Sequence, residues 1–279
     1  MTEVPESCAQ YGEKGGVGKT NLTTGLAAVA GDRGMRVAVV DGDPRATSTD
    51  ELGVQLGEDT LTLNDLLYLP EDQDSMPSDP AEAIWDVLRP AGPAWPSTVR
   101  VIPAERKLAN REMDPRPFEG RLARAVAALG GEIDLVLADM APRPGGRLAT
   151  AILLAMRKVT LPATLTTDGY EGVQHALRSL QIIASGGGHA PDVVGIVRTI
   201  VPRDSERRAI HDNFDTLLQE NYGEILLDVQ LLNYSIREEA RAAAIPITAA
   251  PGREAKKLSS LYGLVLDAIL AKKLEGVRG

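Results

Sequence analysis

The side chains with the clearest chemical purpose in this chain lie in one glycine-rich run, residues 14–20, which reads KGGVGKT. A run that ends in Gly-Lys-Thr is typical of a phosphate-binding loop, in which backbone amides cradle phosphate oxygens. The final lysine of such a loop reaches the β- and γ-phosphates, and the threonine hydroxyl ligates Mg²⁺. The run therefore predicts a site for a nucleoside triphosphate and Mg²⁺, formed by Gly15, Gly16, Val17, Gly18, Lys19, Thr20 and Asn21.

Aspartates at two other points of the chain have the placement of magnesium-site residues. The apolar run 133–138 ends in Asp139, and an aspartate in this position is the second signature of phosphate-loop proteins, where it holds Mg²⁺. A second apolar run, 36–40, is followed by Asp41 and Asp43 in the sequence DGDP. The alternative interpretation is that these carboxylates accept hydrogen bonds from turn amides.

The elements around these residues should bring them together at one edge of a sheet. Residues 7–11 are mostly small or apolar, as in a strand, and Leu22, Leu26 and Val29 recur at helical spacing after the loop. Strand, loop and helix in this order place a helix N-terminus, with free amides and a positive dipole end, against the phosphates. The aspartates that follow the other two strands are expected to converge on the same crevice.

The rest of the chain alternates between strand and helix patterns. This alternation predicts a single α/β domain, 1–279, with a doubly wound, mostly parallel sheet and helices on both faces. Loops are predicted at 71–80 and 90–97. Further strands are predicted at 99–103, 158–163, 193–201, 225–229 and 245–248, and helices at 58–69, 122–129, 148–156, 172–184, 205–221 and 253–273.

The loop departs from the strict phosphate-loop pattern in a way that points to one family. The strict pattern has glycine at position 13, where Glu13 stands, and a second lysine, Lys14, follows it. This deviant form resembles the ParA/MinD family of dimerising ATPases. The segment DGDPR is similar to the family's D-x-D-P-Q, although Arg45 replaces the glutamine and Gly12 replaces a usual asparagine. Weaker matches extend the resemblance over about residues 7–271.

The resemblance assigns roles to individual residues. Lys14 would reach across a dimer interface to the nucleotide of the partner subunit, and Asp43 would orient the attacking water. Asp41 would lie near the metal and the dimer seam, and Pro251 would touch the adenine ring. The implied ligands are ATP and Mg²⁺, with Lys14, Lys19 and Asp43 as the catalytic residues and Thr20, Asp41 and Asp139 as the metal site.

Charge is unevenly distributed along the chain. The formal net charge is −9, which argues against a nucleic-acid partner, but residues 196–279 hold 12 Lys or Arg and 12 Asp or Glu. The basic clusters of this neutral segment are candidates for DNA contact, although such clusters are also common on solvated helix faces. The candidates are Arg203, Arg207, Arg208, Lys256, Lys257, Lys272 and Lys273.

Several other classes of protein fit the sequence less well. Cys8 is the only cysteine, which excludes an intramolecular disulfide and the cysteine-bridged iron proteins of nitrogenase-like systems. No apolar stretch approaches the ~20 residues of a membrane span. Residues 274–279 are too few and too polar for a helix that lies on a bilayer, which argues against a MinD-type protein.

The favoured interpretation is a ParA-type DNA-partition ATPase of the cytoplasm, associated with the nucleoid when it holds ATP. ATP would close a homodimer that binds double-stranded DNA without sequence preference, and a ParB-like centromere-binding protein would trigger hydrolysis. No membrane partner is expected, nor an N-terminal helix-turn-helix domain, because the first predicted strand begins at Ser7. A MinD-like or protein-cargo positioning ATPase, a metabolic ligase with the same loop, and an ATP-binding regulator stay open as alternatives.

Overall fold

An eight-stranded sheet forms the centre of the computed structural model, which describes residues 4–68, 79–142, 145–186 and 189–272. The strands are β1 (Glu6–Gln10), β2 (Val37–Gly42), β3 (Arg89–Pro90), β4 (Val99–Ile102), β5 (Leu135–Met140), β6 (Lys158–Ala163), β7 (Asp192–Val201) and β8 (Leu226–Leu232). Their spatial order is β3-β4-β2-β5-β1-β6-β7-β8, and the pairings are parallel except the one between β3 and β4. This architecture confirms the predicted fold class.

Helices cover both faces of the sheet, and this is why β2, β5 and β6 are buried along their whole length. In β2, for example, Val37 and Val39 face one hydrophobic core while Ala38 and Val40 face the other. The first core is covered by α1 (Lys19–Asp32), α9 (Ser235–Ala242) and α10 (Arg253–Ala271). The second is covered by α3 (Leu63–Leu67), α4 (Pro80–Val87), α5 (Glu119–Ala127), α6 (Arg147–Ala155), α7 (Thr167–Ser185) and α8 (Ala209–Tyr222).

Two connections of the chain lie close to the carboxyl ends of the strands. The short helix α2 (Thr47–Glu51) follows β2, and a 3₁₀ helix spans Arg106–Met113 after β4. Neither element was predicted, and α4, α9 and β3 were also missed. In the described parts of the chain, no helix combines the length and apolar character that a bilayer crossing needs.

The predicted strand at 245–248 is wrong. These residues form successive turns, in which the amide of Ala249 donates to the carbonyl of Pro246. Ile247 is buried in the core under α1 and α10, so the apolar run reflects side-chain packing rather than strand pairing. Most of the predicted loop 71–80 lies outside the described residues, and so do the last residue of the predicted helix 58–69 and Lys273.

Candidate nucleotide site

The connection between β1 and α1 has the backbone shape of a phosphate cradle. Gly16 and Gly18 have φ angles of +74° and +83°, a region that side chains other than glycine rarely occupy. Apart from Gly16 itself and its two chain neighbours, no atom of the described residues lies within 4 Å of the position that a Cβ of Gly16 would take, so this part of the loop is open. Gly18 is the residue before α1, whose first amides have no partner within the helix. The loop therefore presents backbone donors at a helix N-terminus, as an anion site requires.

Lys19 already lies across the loop. Its side chain is buried, and its Nζ donates to the backbone carbonyl of Lys14 at 2.8 Å. Burial lowers the pKa of the Lys19 ammonium, whereas the nearby charges of Asp139 and Asp43 raise it. Lys19 forms no direct ion pair with a carboxylate of the described residues, so a phosphate group would supply a strong negative partner for this buried cation, which supports the predicted role of Lys19.

The end of β7 supports the loop from behind. Thr199 is buried and its Oγ1 donates to the carbonyl oxygen of Val17 at 2.7 Å. A Cβ on Gly18 would lie 3.2 Å from the Cβ of Thr199, so the loop and the strand are in close contact. Ile200 has φ of +51°, which is a rare conformation for a β-branched residue. The sequence did not predict this contact, because Thr199 lies 182 residues after Val17 in the chain.

Thr20, Ser48 and Asp139 form a compact hydrogen-bonded group beside the loop. The hydroxyls of Thr20 and Ser48 both donate to Asp139 Oδ2, each at 2.6 Å. Asp139 Oδ1 is buried and accepts no hydrogen bond from the described part of the chain. Burial raises the pKa of the Asp139 carboxyl to about 6, in spite of the two hydroxyl donors. A cation near Oδ1 would compensate this buried carboxylate.

Asp41 lies next to Asp139, because β2 and β5 pair these two residues in register. Asp41 is fully buried, and its Oδ2 accepts from the amide and the hydroxyl of Thr49 at 2.8 and 2.7 Å. Its Oδ1 accepts from the amide of Asp43 at 3.1 Å. Burial, together with repulsion from Asp139, raises the pKa of Asp41 to about 7. Both oxygens of Asp41 are thus in use, which suits a supporting group better than a direct metal ligand.

Asp43 occupies a more open position than Asp41. Its Oδ1 accepts from the amide of Arg45 at 2.9 Å, so it does bond a turn amide, as the alternative interpretation proposed. The side chain is only half-buried, and its charge lies close enough to Lys19 to influence the pKa of that lysine. Its role in orienting water stays a prediction.

The site fits Mg²⁺ as phosphate-loop proteins hold it. Mg²⁺ retains several waters and binds through few protein groups together with substrate phosphates. Here the hydroxyl of Thr20 and the unpartnered oxygen of Asp139 provide such a partial ligand set. When bound, the ion would neutralise phosphate charge, while Lys19 and the loop amides hold the phosphates.

Lys14 points away from this cradle. Its Nζ forms ion pairs with Asp168 Oδ1 at 2.9 Å and Glu171 Oε2 at 3.1 Å, both in the first turns of α7. These two carboxylates raise the pKa of Lys14. Glu13, which replaces the glycine of the strict pattern, accepts hydrogen bonds from Tyr11 and from Ser179 of α7. The beginning of the loop is therefore attached to α7, and its end to β7.

Comparison with known proteins identifies the family. The model of the AAA domain family (AAA_31) matches residues 6–187, which include both lysines and all three aspartates of the site. The sporulation initiation inhibitor protein Soj of Bacillus subtilis is 29% identical over 174 residues, which are 61% of this chain and 63% of Soj. The chromosome partitioning protein ParA of Myxococcus xanthus is 28% identical over 203 residues, 71% of this chain and 65% of that protein. The chain belongs to the ParA family of P-loop ATPases.

Likeness to a solved structure extends over nearly the whole chain. The structure of a Cyanothece McdA(D38A)–ATP complex superimposes with a TM-score of 0.80 and covers 98% of this chain and 99% of that one. At 16% identity this likeness concerns the fold alone. Members of the family use ATP and Mg²⁺. The site described above has Lys19 and backbone amides for the phosphates, and the oxygens of Thr20 and Asp139 for Mg²⁺. The two curated relatives are matched over slightly less than two thirds of their own length.

The structure brings most of the predicted residues to one place. The loop residues, Lys19, Thr20, Asp41, Asp43 and Asp139 share the edge formed by β1, β2 and β5. Pro251 lies exposed in the connection before α10, and its contact with adenine stays a prediction. Ser48 and Thr49 were missed, although the hydroxyl-rich run 47–49 shortly after Asp43 was a visible signal.

The candidate DNA-contacting residues fall into two groups. Arg203 pairs with Glu206 at 2.7 Å and with Glu254 at 3.8 Å, and Arg207 pairs with Asp212 at 2.6 Å and Asp215 at 2.7 Å. The other described candidates have no ion pair within the described residues, and Lys272 is half-buried whereas the rest are exposed. This second group is Arg208, Lys256, Lys257 and Lys272.

Proposed function

We propose that this chain is an ATP-dependent DNA-partition ATPase. ATP and Mg²⁺ would close a homodimer that binds double-stranded DNA without sequence preference. A ParB-like centromere-binding protein would stimulate the slow hydrolysis of ATP to ADP and phosphate, and thereby release the DNA. The protein would act in the cytoplasm, on the nucleoid while it holds ATP. The partition relative named above supports this proposal.

The position of Lys14 carries the proposal. One lysine of the loop, Lys19, lies over its own phosphate cradle, so a second cation is not needed there. Lys14 instead lies near the surface with 31% of its side chain exposed, where exposed carboxylates of α7 hold it. Surface ion pairs of this kind stabilise a protein little, because water and salt screen the charges. Lys14 can therefore exchange Asp168 and Glu171 for the phosphates of a second subunit at little cost.

Binding of DNA by the ATP-bound dimer tests the function. A titration of duplex DNA at low salt, with Asp43→Ala to slow hydrolysis and hold the ATP state, should give binding of several unrelated sequences with similar affinity. Binding should be lost without ATP and should weaken steeply as salt increases, because phosphate contacts release counterions. Binding that is equally strong without ATP would contradict the proposal.

A protein-cargo positioning ATPase without DNA binding is the second candidate. The net charge of −9 and the internal pairing of Arg203 and Arg207 favour it, because both reduce the attraction to phosphate. An ATP-dependent dimer that fails to bind DNA even at low salt would select this candidate.

A further inference from the structure

We propose that Ser48 is a positioning residue for the magnesium site, because it determines which oxygen of Asp139 stays available. This inference rests on the assignment of Asp139 to that site. Asp139 Oδ2 receives two short hydrogen bonds, from Thr20 in α1 and from Ser48 in α2. Because Oδ2 accepts both of these hydrogen bonds, Oδ1 is the oxygen that remains available to a ligand.

The unpartnered oxygen is the observation that points to a ligand. Asp139 is 1% exposed, and buried polar atoms nearly always have a hydrogen-bond partner. An unsatisfied buried acceptor is costly, and more so when it is charged. Asp139 Oδ1 therefore fits a donor that the described residues do not supply, such as a water bound to Mg²⁺.

The hydroxyl of Ser48 is itself held in place from two sides. Next to it, Thr49 binds Asp41 and accepts from the amide of Ala104 at 3.0 Å, which attaches α2 to the sheet and to the end of β4. At the other end of α2, Glu51 forms a buried ion pair with Arg237 of α9 at 2.6 Å. Because α2 is attached at both ends, Ser48 presents its hydroxyl at a fixed point.

Without Ser48, the carboxylate of Asp139 would retain one donor in place of two. The torsion that turns a carboxylate is broad and carries little intrinsic preference. The carboxylate could then rotate and share the hydroxyl of Thr20 between its oxygens, so that the magnesium site would lose its orientation. Removal of such an orienting partner typically lowers metal affinity about 10–100-fold.

The test compares ATP affinity with Mg²⁺ and with EDTA by isothermal titration calorimetry. The gain in ATP affinity that Mg²⁺ provides over EDTA is called the magnesium effect. Ser48→Ala should reduce the magnesium effect by about tenfold or more, and leave the ATP affinity in EDTA unchanged. Ser48→Cys, which fills the site left by the hydroxyl with a slightly larger thiol that is only a weak donor, should show the same loss and serves if the alanine variant folds poorly. Ser48→Thr, which keeps the hydroxyl, should retain the magnesium effect.

A matched control separates orientation from general stability. Ser7 is also buried, and its Oγ accepts from the amide of Arg157 at 3.0 Å, away from the phosphate loop. Ser7→Ala should lower thermal stability but leave the magnesium effect unchanged. The proposal fails if Ser48→Ala keeps the magnesium effect within about twofold while Asp139→Asn loses it. If Asp139→Asn also keeps it, the assignment of Asp139 is wrong as well. Neither result depends on whether the dimer binds DNA.

Discussion

Lys19 is the residue on which we expect phosphate binding to depend most directly, because it is the buried cation of the candidate cradle. Lys19→Ala should weaken the binding of ATP with Mg²⁺ by far more than tenfold, which corresponds to ~1.4 kcal/mol. Calorimetry measures this affinity, and Lys107→Ala, which removes an exposed lysine outside the phosphate loop, is the control. An affinity within about threefold of the wild type would contradict the assignment of the phosphate loop.

The buried aspartates should make the nucleotide-free protein less stable as the pH rises. Burial raises the pKa of Asp41 to about 7 and that of Asp139 to about 6, whereas both ionise near pH 4 in the unfolded chain. Between these values the folded state retains protons that the unfolded state has lost. The free energy of unfolding should therefore decrease by up to about 1.4 kcal/mol per pH unit for each group.

Thermal unfolding without Mg²⁺ or nucleotide, at pH 5, 6.5 and 8, measures this effect. Asp41→Asn should make stability against unfolding depend less on pH. The altered hydrogen bonds to Thr49 should add a loss of stability that is the same at every pH. A variant with the same slope as the wild type would show that Asp41 is ionised over the whole range.

At the residue scale the sequence predicted what is local. The phosphate loop could be predicted because its pattern lies in seven adjacent residues, and Asp139 could be predicted because it directly follows an apolar run. The partners of Lys14 could not be predicted, because Asp168 is 154 residues away and only the fold brings α7 beside the loop. The same holds for the unpartnered oxygen of Asp139, which results from two hydroxyls donated by different helices.

At the scale of elements, α2 and α9 connect the nucleotide site to the last third of the chain. Glu51 of α2 and Arg237 of α9 form an ion pair at 2.6 Å with side chains 3% and 9% exposed, and Thr24 of α1 bonds both. Arg237→Ala should lower the free energy of unfolding by about 3–5 kcal/mol, because it leaves the buried carboxylate of Glu51 with only the partly exposed Arg241 as an ionic partner among the described residues.

Denaturation by urea measures this loss, and Arg241→Ala is the matched control. Arg241 also contacts Glu51, at 3.1 Å, but 43% of its side chain is exposed, so its removal should cost no more than about 1 kcal/mol. The double variant Glu51→Gln/Arg237→Met should be more stable than Arg237→Ala, because it leaves no buried charge unpaired. Equal losses for the two arginine variants would contradict the argument.

These contacts also explain which elements the sequence failed to predict. The long strands and helices have apolar patterns that specify them locally, but α9 has the polar sequence SIREEARA and α2 has only five residues. Both are stabilised by partners distant in the chain, and a pattern within a window contains no information on such partners. The predicted strand at 245–248 failed for the opposite reason, since its apolar residues are buried by helices rather than by neighbouring strands.

At the scale of the whole molecule, the two lysines of the loop and Asp43 should have separable effects on assembly. Asp43→Ala should bind ATP, hydrolyse it at least tenfold more slowly and accumulate as a dimer, because water positioning is lost while the cradle is intact. Lys14→Ala should bind ATP with similar affinity but stay monomeric, because the role proposed for Lys14 is at the nucleotide of the partner subunit. Size-exclusion chromatography with ATP distinguishes the two, and dimerisation of both like the wild type would contradict the role of Lys14.

The distribution of charge in the whole molecule leads to the last prediction, which concerns the DNA-binding surface. A chain with a net charge of −9 can attract phosphate only where basic side chains are not already neutralised. Lys256 and Lys257, in the first turns of α10, are exposed and have no ion pair within the described residues, whereas Arg203 and Arg207 are held by carboxylates. The double variant Lys256→Gln/Lys257→Gln should therefore bind DNA more weakly than Arg203→Gln/Arg207→Gln, although each removes two positive charges per subunit.

The dependence of binding on salt shows whether the difference comes from phosphate contacts. The slope of log affinity against log salt should decrease by about one for each DNA phosphate that the variant no longer neutralises, so the lysine variant should have the flatter slope. Both variants must still dimerise with ATP, as chromatography would show, so that weaker binding is not a failure of assembly. Equal affinities and slopes would mean that ion pairing within the subunit does not determine which basic residues face the DNA. A larger decrease in the arginine variant would instead mean that the carboxylate partners of Arg203 and Arg207 release them when the dimer meets phosphate.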